Sequence, residues 1–241
     1  MDEILAVVEE LITKTVEKEK RISYRAKTSG LGALLESLRN HETQNDEPSG
    51  LIYDIEWIND ENIATTSKGH PIQLWNSENG ERLCSYVGKD NADAVDSAFS
   101  IGVLGNKYIL GGYKKDIKFW DIEIPGKPLY TLPYIDKFYK TGLTGRAMSF
   151  SSDPLNSSQF VAVGCSDRIS VYADNCNYSV MTFSTNGRGY TYVKYSEDST
   201  KIYASERKGD IHCYDLRMNM LVQVLKREMT ENHRTVFDID V

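Results

Sequence analysis

The sequence predicts an all-β chain assembled from repeated four-stranded modules, and two observations carry that expectation. One grammar recurs: a short β-prone run, a turn, a second run that alternates apolar and polar side chains and closes on a ring, then a hairpin back. It reads 63–67, Lys68-Gly69 and 71–75; then 108–112 and 117–121; then 160–164, Ser166-Asp167 and 169–172; then 201–205, Lys208-Gly209 and 211–215. The closing rings are Trp75, Trp120, Tyr172 and Tyr214, spaced 45, 52 and 42 residues apart. Those spacings bracket the roughly 40 to 45 residues of a WD-repeat propeller blade with its four strands.

Taken in order, residues 2–20 place Ile4, Leu5, Val8, Leu11, Ile12 and Val16 at helical spacing, with Glu9, Glu10, Glu17 and Lys18 opposite. That is an amphipathic helix. A second helix is expected over 31–39 after Thr28-Ser29-Gly30, and 41–50 reads as a polar linker. Residues 1–50 form a helical N-terminal extension that either lies on the domain or presents a helix to a partner.

From residue 51 the pattern changes to strands. The first blade, 51–89, is expected to hold strands at 51–57, 62–67, 70–76 and 82–87, with Asn79-Gly80 as a strong hairpin signal. The second, 95–133, holds 95–101, 107–111, 116–121 and 129–132. The third (146–184) and fourth (189–227) repeat the order, and 234–241 looks like the first strand of another. Closed propellers have typically four to eight blades, and residues 51–241 supply about four and a half at the usual period. Either four blades and the helical extension make a compact or open array, or the chain is part of a seven-bladed ring; the second is the expectation.

Trp75, Trp120, Tyr172 and Tyr214 are the expected blade anchors, each holding its hairpin against the next blade. WD repeats reinforce such rings with a His, an Asp in the turn between second and third strands, and a Ser or Thr. The chain keeps fragments of that set: Asp167 and Asp210 in or beside such turns, and His233 ahead of Val236, which reads as structural.

Composition bounds the function. The chain is 40% hydrophobic and 26% charged, ordinary for a globular protein with a real core. A net charge of -7 argues against a nucleic-acid binder of the histone kind but leaves room for a local basic patch. Cys84, Cys165, Cys176 and Cys213 show no metal-like spacing and read as reduced, packed thiols. No apolar run approaches the roughly 18 residues that cross a bilayer, and the first residues are acidic, so no membrane association is expected. The sequons at Asn156 and Asn177 are expected to stay unmodified, and the compartment to be cytosol or nucleus.

No catalytic, cofactor-binding or metal-ligating set emerges. His41, His70, His212 and His233 are dispersed, and no serine or cysteine sits in a nucleophile elbow. Ser29-Gly30-Leu31-Gly32 lacks the third glycine and the preceding strand of a phosphate loop. Asp93 and Asp96 enter a strand with nothing nearby to shift them. The chain reads as non-enzymatic, without cofactor or small-molecule substrate, and its loops carry the function.

Two features point to binding. Arg188-Gly189-Tyr190-Thr191-Tyr192-Val193-Lys194-Tyr195 interleaves aromatic and basic residues, as base stacking with phosphate contact requires. Strand periodicity offers the competing account, with Tyr190 and Tyr192 on one face and Val193 and Tyr195 on the other. Lys114, Lys115, Arg207 and Lys208 fall in or beside turns between second and third strands, and with Arg188 on one propeller face they would make a phosphate-binding patch.

The block His70-Pro71-Ile72-Gln73-Leu74-Trp75, followed by Asn79-Gly80-Glu81-Arg82-Leu83-Cys84-Ser85-Tyr86, resembles the H-P-I-x-L-W-D…T-G-E…C-S-Y block of the telomerase Cajal-body protein family of WD-repeat proteins. The resemblance continues over 93–100, through Gly111-Gly112-Tyr113 to Phe119-Trp120-Asp121 and at Pro125-Gly126. It returns at Cys213-Tyr214-Asp215-Leu216-Arg217 and over 227–240, where the family has a similar R-E-V-x-T-N-Q-R-x-x-F-D-L-D run. It implies a seven-bladed, non-enzymatic nuclear scaffold that binds small nuclear or Cajal-body RNA or its ribonucleoprotein proteins, with a cytoplasmic pool allowed. A fungal branch that is similar has been associated with pre-messenger-RNA splicing. Residues 1–50 do not resemble the family's first blades.

A second reading is a substrate receptor of a cullin-type ubiquitin ligase. Tyr214-Asp215-Leu216-Arg217 resembles the adapter-docking box ending in W-D-x-R, with Arg217 as its contact, although Lys208 stands where that box has an Asp. A generic protein-interaction propeller is the third.

Overall fold

The computed structural model describes residues 51–135, 142–164, 168–174, 176–184, 189–227 and 236–239. The two helices and linker expected over 2–50, together with His41, Cys165, Asp167, Arg188 and His233, lie outside those residues.

The described residues fold as strands. The first sheet comprises β1 (Ile52–Trp57), β2 (Asn62–Ser67), β3 (Ile72–Asn76) and β4 (Arg82–Tyr86). A small hairpin, β5 (Gly88–Lys89) and β6 (Val95–Asp96), leads to β7 (Ser100–Leu104), β8 (Tyr108–Gly112), β9 (Asp116–Asp121) and β10 (Tyr130–Pro133). The third sheet is β11 (Ala147–Ser152), β12 (Gln159–Gly164), β13 (Arg168–Ala173) and β14 (Ser179–Ser184). The fourth is β15 (Tyr190–Tyr195), β16 (Lys201–Glu206), β17 (Ile211–Asp215) and β18 (Met220–Leu225). Each sheet is antiparallel with its strands in chain order, the blade of a WD-repeat propeller.

Ladder register makes the four ring side chains equivalent. Trp75 pairs with Ile63, Trp120 with Ile109, Tyr172 with Phe160 and Tyr214 with Ile202, each the second residue of its second strand. In the first, third and fourth sheets a bulge immediately precedes the ring on its outer side, and another lies near the start of the inner strand. The second sheet has neither of these bulges.

The inner strands β1, β7, β11 and β15 neighbour one another in that order, stitched by side chains to backbone. Asp54 Oδ2 accepts from Ile101 N at 2.8 Å, Ser100 Oγ donates to Ala147 O at 3.0 Å, and Ser151 Oγ accepts from Tyr195 N at 3.1 Å. Between successive sheets lie three apolar seams. Ala64, Ile72, Leu74 and Tyr86 meet Ile101, Ile109 and Trp120; Leu110, Ile117, Phe119 and Leu132 meet Phe150, Phe160 and Tyr172; Val161, Ile169, Val171 and Phe183 meet Val193, Ile202 and Tyr214. Each of these three rings therefore packs on the sheet before it, not on the next blade as expected. Ile122 and Leu216, two residues beyond Trp120 and Tyr214, share the same seams, as the two-residue alternation of a strand requires. At the middle seam Gly112 admits the close approach: a Cβ there would lie 2.5 Å from Ser100 Oγ and 2.8 Å from Ala147 Cβ.

Two local expectations change. The strand expected over 95–101 is divided: Val95–Asp96 pairs with Gly88–Lys89, and the inner strand begins at Ser100. The bulge in β15 moves Tyr190 onto the buried face with Val193 and Tyr195, and leaves Tyr192 with Lys194 on the other. One extra residue reverses the alternation.

That other face ends the described array. Leu225 is 40% exposed, whereas its ladder equivalents Tyr86, Leu132 and Phe183 are 0%, 2% and 4% exposed. Val236–Ile239 begins to cover this face: Phe237 meets the Tyr192 ring edge-on at 5.2 Å, and Lys194 pairs with Asp238. Tyr192 holds the position of Asp54 and Ser149, which in the earlier sheets contact the following inner strand.

Candidate nucleic-acid interface

Antiparallel order sorts every turn to one of two ends. Turns between second and third strands share an end with the starts of inner strands and the finishes of outer ones. Contacts between blades confirm the alignment: Gly69 N donates to Ser97 Oγ at 2.8 Å, Arg146 lies over the Phe99 ring at 4.6 Å, and Ala147 N donates to Tyr134 Oη at 3.1 Å.

The two ends carry opposite charge. Exposed Lys68, Lys114, Lys115, Arg207 and Lys208 stand in the turns of the first end, with Arg146 and Lys226 beside them. Carboxylates at the same end are Asp90 and Asp93 on the β5–β6 hairpin, where Asp93 pairs with Lys89 at 2.8 Å, together with Asp116, paired with Lys118, buried Glu206, and Asp210, paired with Lys226. At the other end the exposed residues include Asp60, Glu61, Glu78, Glu81, Glu123 and Glu197, interrupted by Arg82, Lys107 and Arg217; Lys127 follows Gly126, which bonds Ser85 and Val87 at the finish of β4.

The turn residues at the basic end project because hairpin backbone supplies the turn itself. Gly69 and Gly209 take positive φ, 80° and 109°, where glycine is favoured over residues with a Cβ. Glu206 N donates to Asp210 O at 2.8 Å, closing the loop that carries Arg207 and Lys208. Among the described residues no ion pair engages Lys114, Lys115, Arg207 or Lys208. Lys118 differs: it is buried, pairs with Asp116 at 2.8 Å and covers the Tyr113 ring at 4.2 Å.

The remaining sequence-derived candidates separate. Arg188 lies outside the described residues. Tyr190 is core, its hydroxyl within 2.8 Å of His212 Nδ1 and 2.9 Å of Tyr214 Oη, and Tyr192 meets Phe237. Arg217 is exposed at the acidic end, its backbone N–H donating to Asp215 Oδ1 at 2.9 Å. Of the anchors, Trp75 Nε1 donates to Thr65 Oγ1 at 2.8 Å, the ring-to-hydroxyl bond of WD repeats. Trp120 Nε1 instead donates to Gly126 O at 3.0 Å, and Tyr172 Oη accepts from Leu143 N at 3.0 Å.

Sequence reasoning missed one group. Glu206, Asp210 and His212 bring one ligand atom each within 4.8 Å of one another at the mouth of the β16–β17 turn. The spacing Glu-x-x-x-Asp-x-His across a tight hairpin was the available signal, because such a turn returns its flanking side chains to one face.

No protein-family model matches the chain. The chain is 25% identical over 182 residues to Telomerase Cajal body protein 1 of Mus musculus, covering 74% of this chain and 34% of that protein. It is 26% identical over 189 residues to Guanine nucleotide-binding protein negative regulator 1 of Schizosaccharomyces pombe, covering 74% and 47%. A shorter match, 32% over 87 residues, joins it to Telomerase Cajal body protein 1 homolog of Drosophila melanogaster, covering 32% and 16%. The chain thus spans about a third of the length of the mouse relative. The resemblance read from the blocks at 70–86 and 227–240 is met by relatives bearing that family's name.

Proposed function

We propose that the chain is a non-enzymatic WD-repeat scaffold that binds small nuclear or Cajal-body-type RNA, or its ribonucleoprotein, through the basic end of its blades. It would serve the localisation or assembly of such particles, or pre-messenger-RNA splicing, in the nucleus. The observation that carries this reading is the excess of exposed cations in the turns at one end of a chain whose net charge is -7. Phosphate binding depends on local potential, and charge of the opposite sign on the far end does little to screen it beyond a Debye length of roughly 8 to 10 Å. The relatives named for telomerase and Cajal bodies support the choice of RNA particle over other polyanions.

The test is fluorescence anisotropy with labelled small nuclear RNA and a scrambled RNA, comparing wild type with the quadruple reversal Lys114→Glu, Lys115→Glu, Arg207→Glu, Lys208→Glu. Binding by wild type that falls at least about tenfold in the variant supports the reading. No RNA binding, or binding indifferent to the reversal, overturns it.

Arg217 favours a second reading as the substrate receptor of a cullin-type ligase or another protein-interaction propeller, since its side chain is 75% exposed at the opposite end. Arg217→Ala abolishes adapter pull-down on that reading and leaves RNA binding intact.

A further inference from the structure

We propose that Glu206, Asp210 and His212 form a binding site for a divalent transition-metal ion of the zinc class, clamping the turn that presents Arg207 and Lys208. The site is built from one hairpin. Glu206 ends β16, Asp210 closes the turn and His212 is the second residue of β17, so a carboxylate, a carboxylate and an imidazole converge.

The imidazole is oriented from behind. The Tyr190 hydroxyl lies 2.8 Å from His212 Nδ1, and the ring of Tyr190 meets the imidazole edge-on at 5.7 Å. That turns Nε2 toward Glu206, whose Oε2 is 3.9 Å away. The separation is too long for a hydrogen bond. Two bonds of about 2.0 to 2.2 Å span at most about 4.4 Å, so this pair can share an ion as it stands, and the three ligand atoms, within 4.8 Å of one another, draw together as the ion binds. A partner bonded to the second nitrogen of a metal-binding histidine is the usual supporting arrangement.

Glu206 is fully buried, and His212 and Asp210 are each about one-seventh exposed, so the group opens to solvent on their side. Lys226 Nζ donates to Asp210 Oδ2 at 2.6 Å, bridging the outer strand to the turn. Arg227 Nε donates to Gly209 O at 3.0 Å and its Nη2 to Ser205 Oγ at 3.1 Å, fixing the turn from its outer side. Two carboxylates and one imidazole suit zinc, manganese or cobalt better than copper(I), which selects sulfur. Three protein ligands leave further positions to water.

The test uses the full chain, stripped with chelator and titrated with Co2+, whose visible absorption reports protein ligation. One equivalent should raise d–d bands that stoichiometric Zn2+ bleaches, with Tm rising as the ion binds the native state. His212→Ala and Glu206→Gln should abolish the bands. Asp210→Asn, which keeps the side chain's shape, tests the site where the other variants fail to fold: it should weaken Co2+ binding at least tenfold in a chain whose circular dichroism stays native, while His70→Ala leaves binding unaltered. Absence of stoichiometric bands in wild type, or bands that survive Asp210→Asn undiminished, overturns the proposal. Because the readout is metal alone, its outcome is independent of whether RNA binds.

Discussion

Trp75 and Thr65, ten residues apart in sequence, are joined across β2 and β3 by an indole N–H that donates to the threonine hydroxyl at 2.8 Å. Both are buried, and the bond is what lets the indole nitrogen leave water. Thr65→Val keeps the shape and deletes the acceptor, so unfolding free energy should fall by about 1 to 3 kcal/mol. Thr65→Ser should restore most of it. Urea denaturation measures both, as a midpoint shift at constant m-value.

The seam positions of the third and fourth outer strands should respond unequally. Phe183 is enclosed by the following sheet, and Phe183→Ala should cost about 3 to 5 kcal/mol through lost burial and the cavity left. Leu225, its ladder equivalent, is 40% exposed, and Leu225→Ala should change the same midpoint by less than about 1 kcal/mol.

Gly112→Ala should destabilise by roughly 1 to 3 kcal/mol, since the added methyl collides with Ser100 and Ala147 at the middle seam. Ser100→Gly relieves the nearer contact but gives up the Ser100 Oγ–Ala147 O bond, so the double variant Gly112→Ala, Ser100→Gly should lose less than the sum of the two single losses, read again by urea midpoint.

Alkali should unfold the chain through its buried phenols. Burial pushes Tyr172 up to about 12 and also raises Tyr86, Tyr113, Tyr130 and Tyr195. A folded value above the unfolded one of about 10 gives stability that is whole below pH 10 and is lost as pH rises through the folded value. Tyrosinate absorbance should therefore rise in two stages, exposed rings near pH 10 and the buried set together with loss of circular dichroism at higher pH. A single stage near pH 10 with the fold intact would contradict this burial.

On the proposed function, the salt dependence of RNA binding should register single lysines. Removing Lys114 or Lys208 should lower the slope of log K against log salt by about 0.7 each for single-stranded RNA, whereas Lys107→Ala at the acidic end should leave it unchanged.

Much of the fold was legible because alternation and turn residues mark strands directly. Ile63 to Trp75 shows both, and β2, β9 and β17 begin and end where the pattern places them. What was illegible shares a cause. The bulge in β15 inserts one residue without altering composition, so the sequence assigns Tyr190 and Tyr192 to one face when they occupy two. Which neighbour Trp120 packs against depends on contacts across a seam, and no local pattern encodes that. For the interface, Lys114 and Arg207 were readable as turn residues; their sharing an end follows only from four antiparallel sheets aligned by their inner strands.

The ring side chains make this array one-directional. Trp120 rests on the sheet that precedes it, Tyr172 on the next, Tyr214 on the one after, so each module is a foundation for its successor. Stripping modules from the C-terminal side exposes an apolar wall but leaves the remaining anchors among Trp120 and Tyr172 roofed, whereas stripping from the N-terminal side uncovers Trp120 itself. Damage should travel down the chain more readily than up it, as a row of dominoes falls one way.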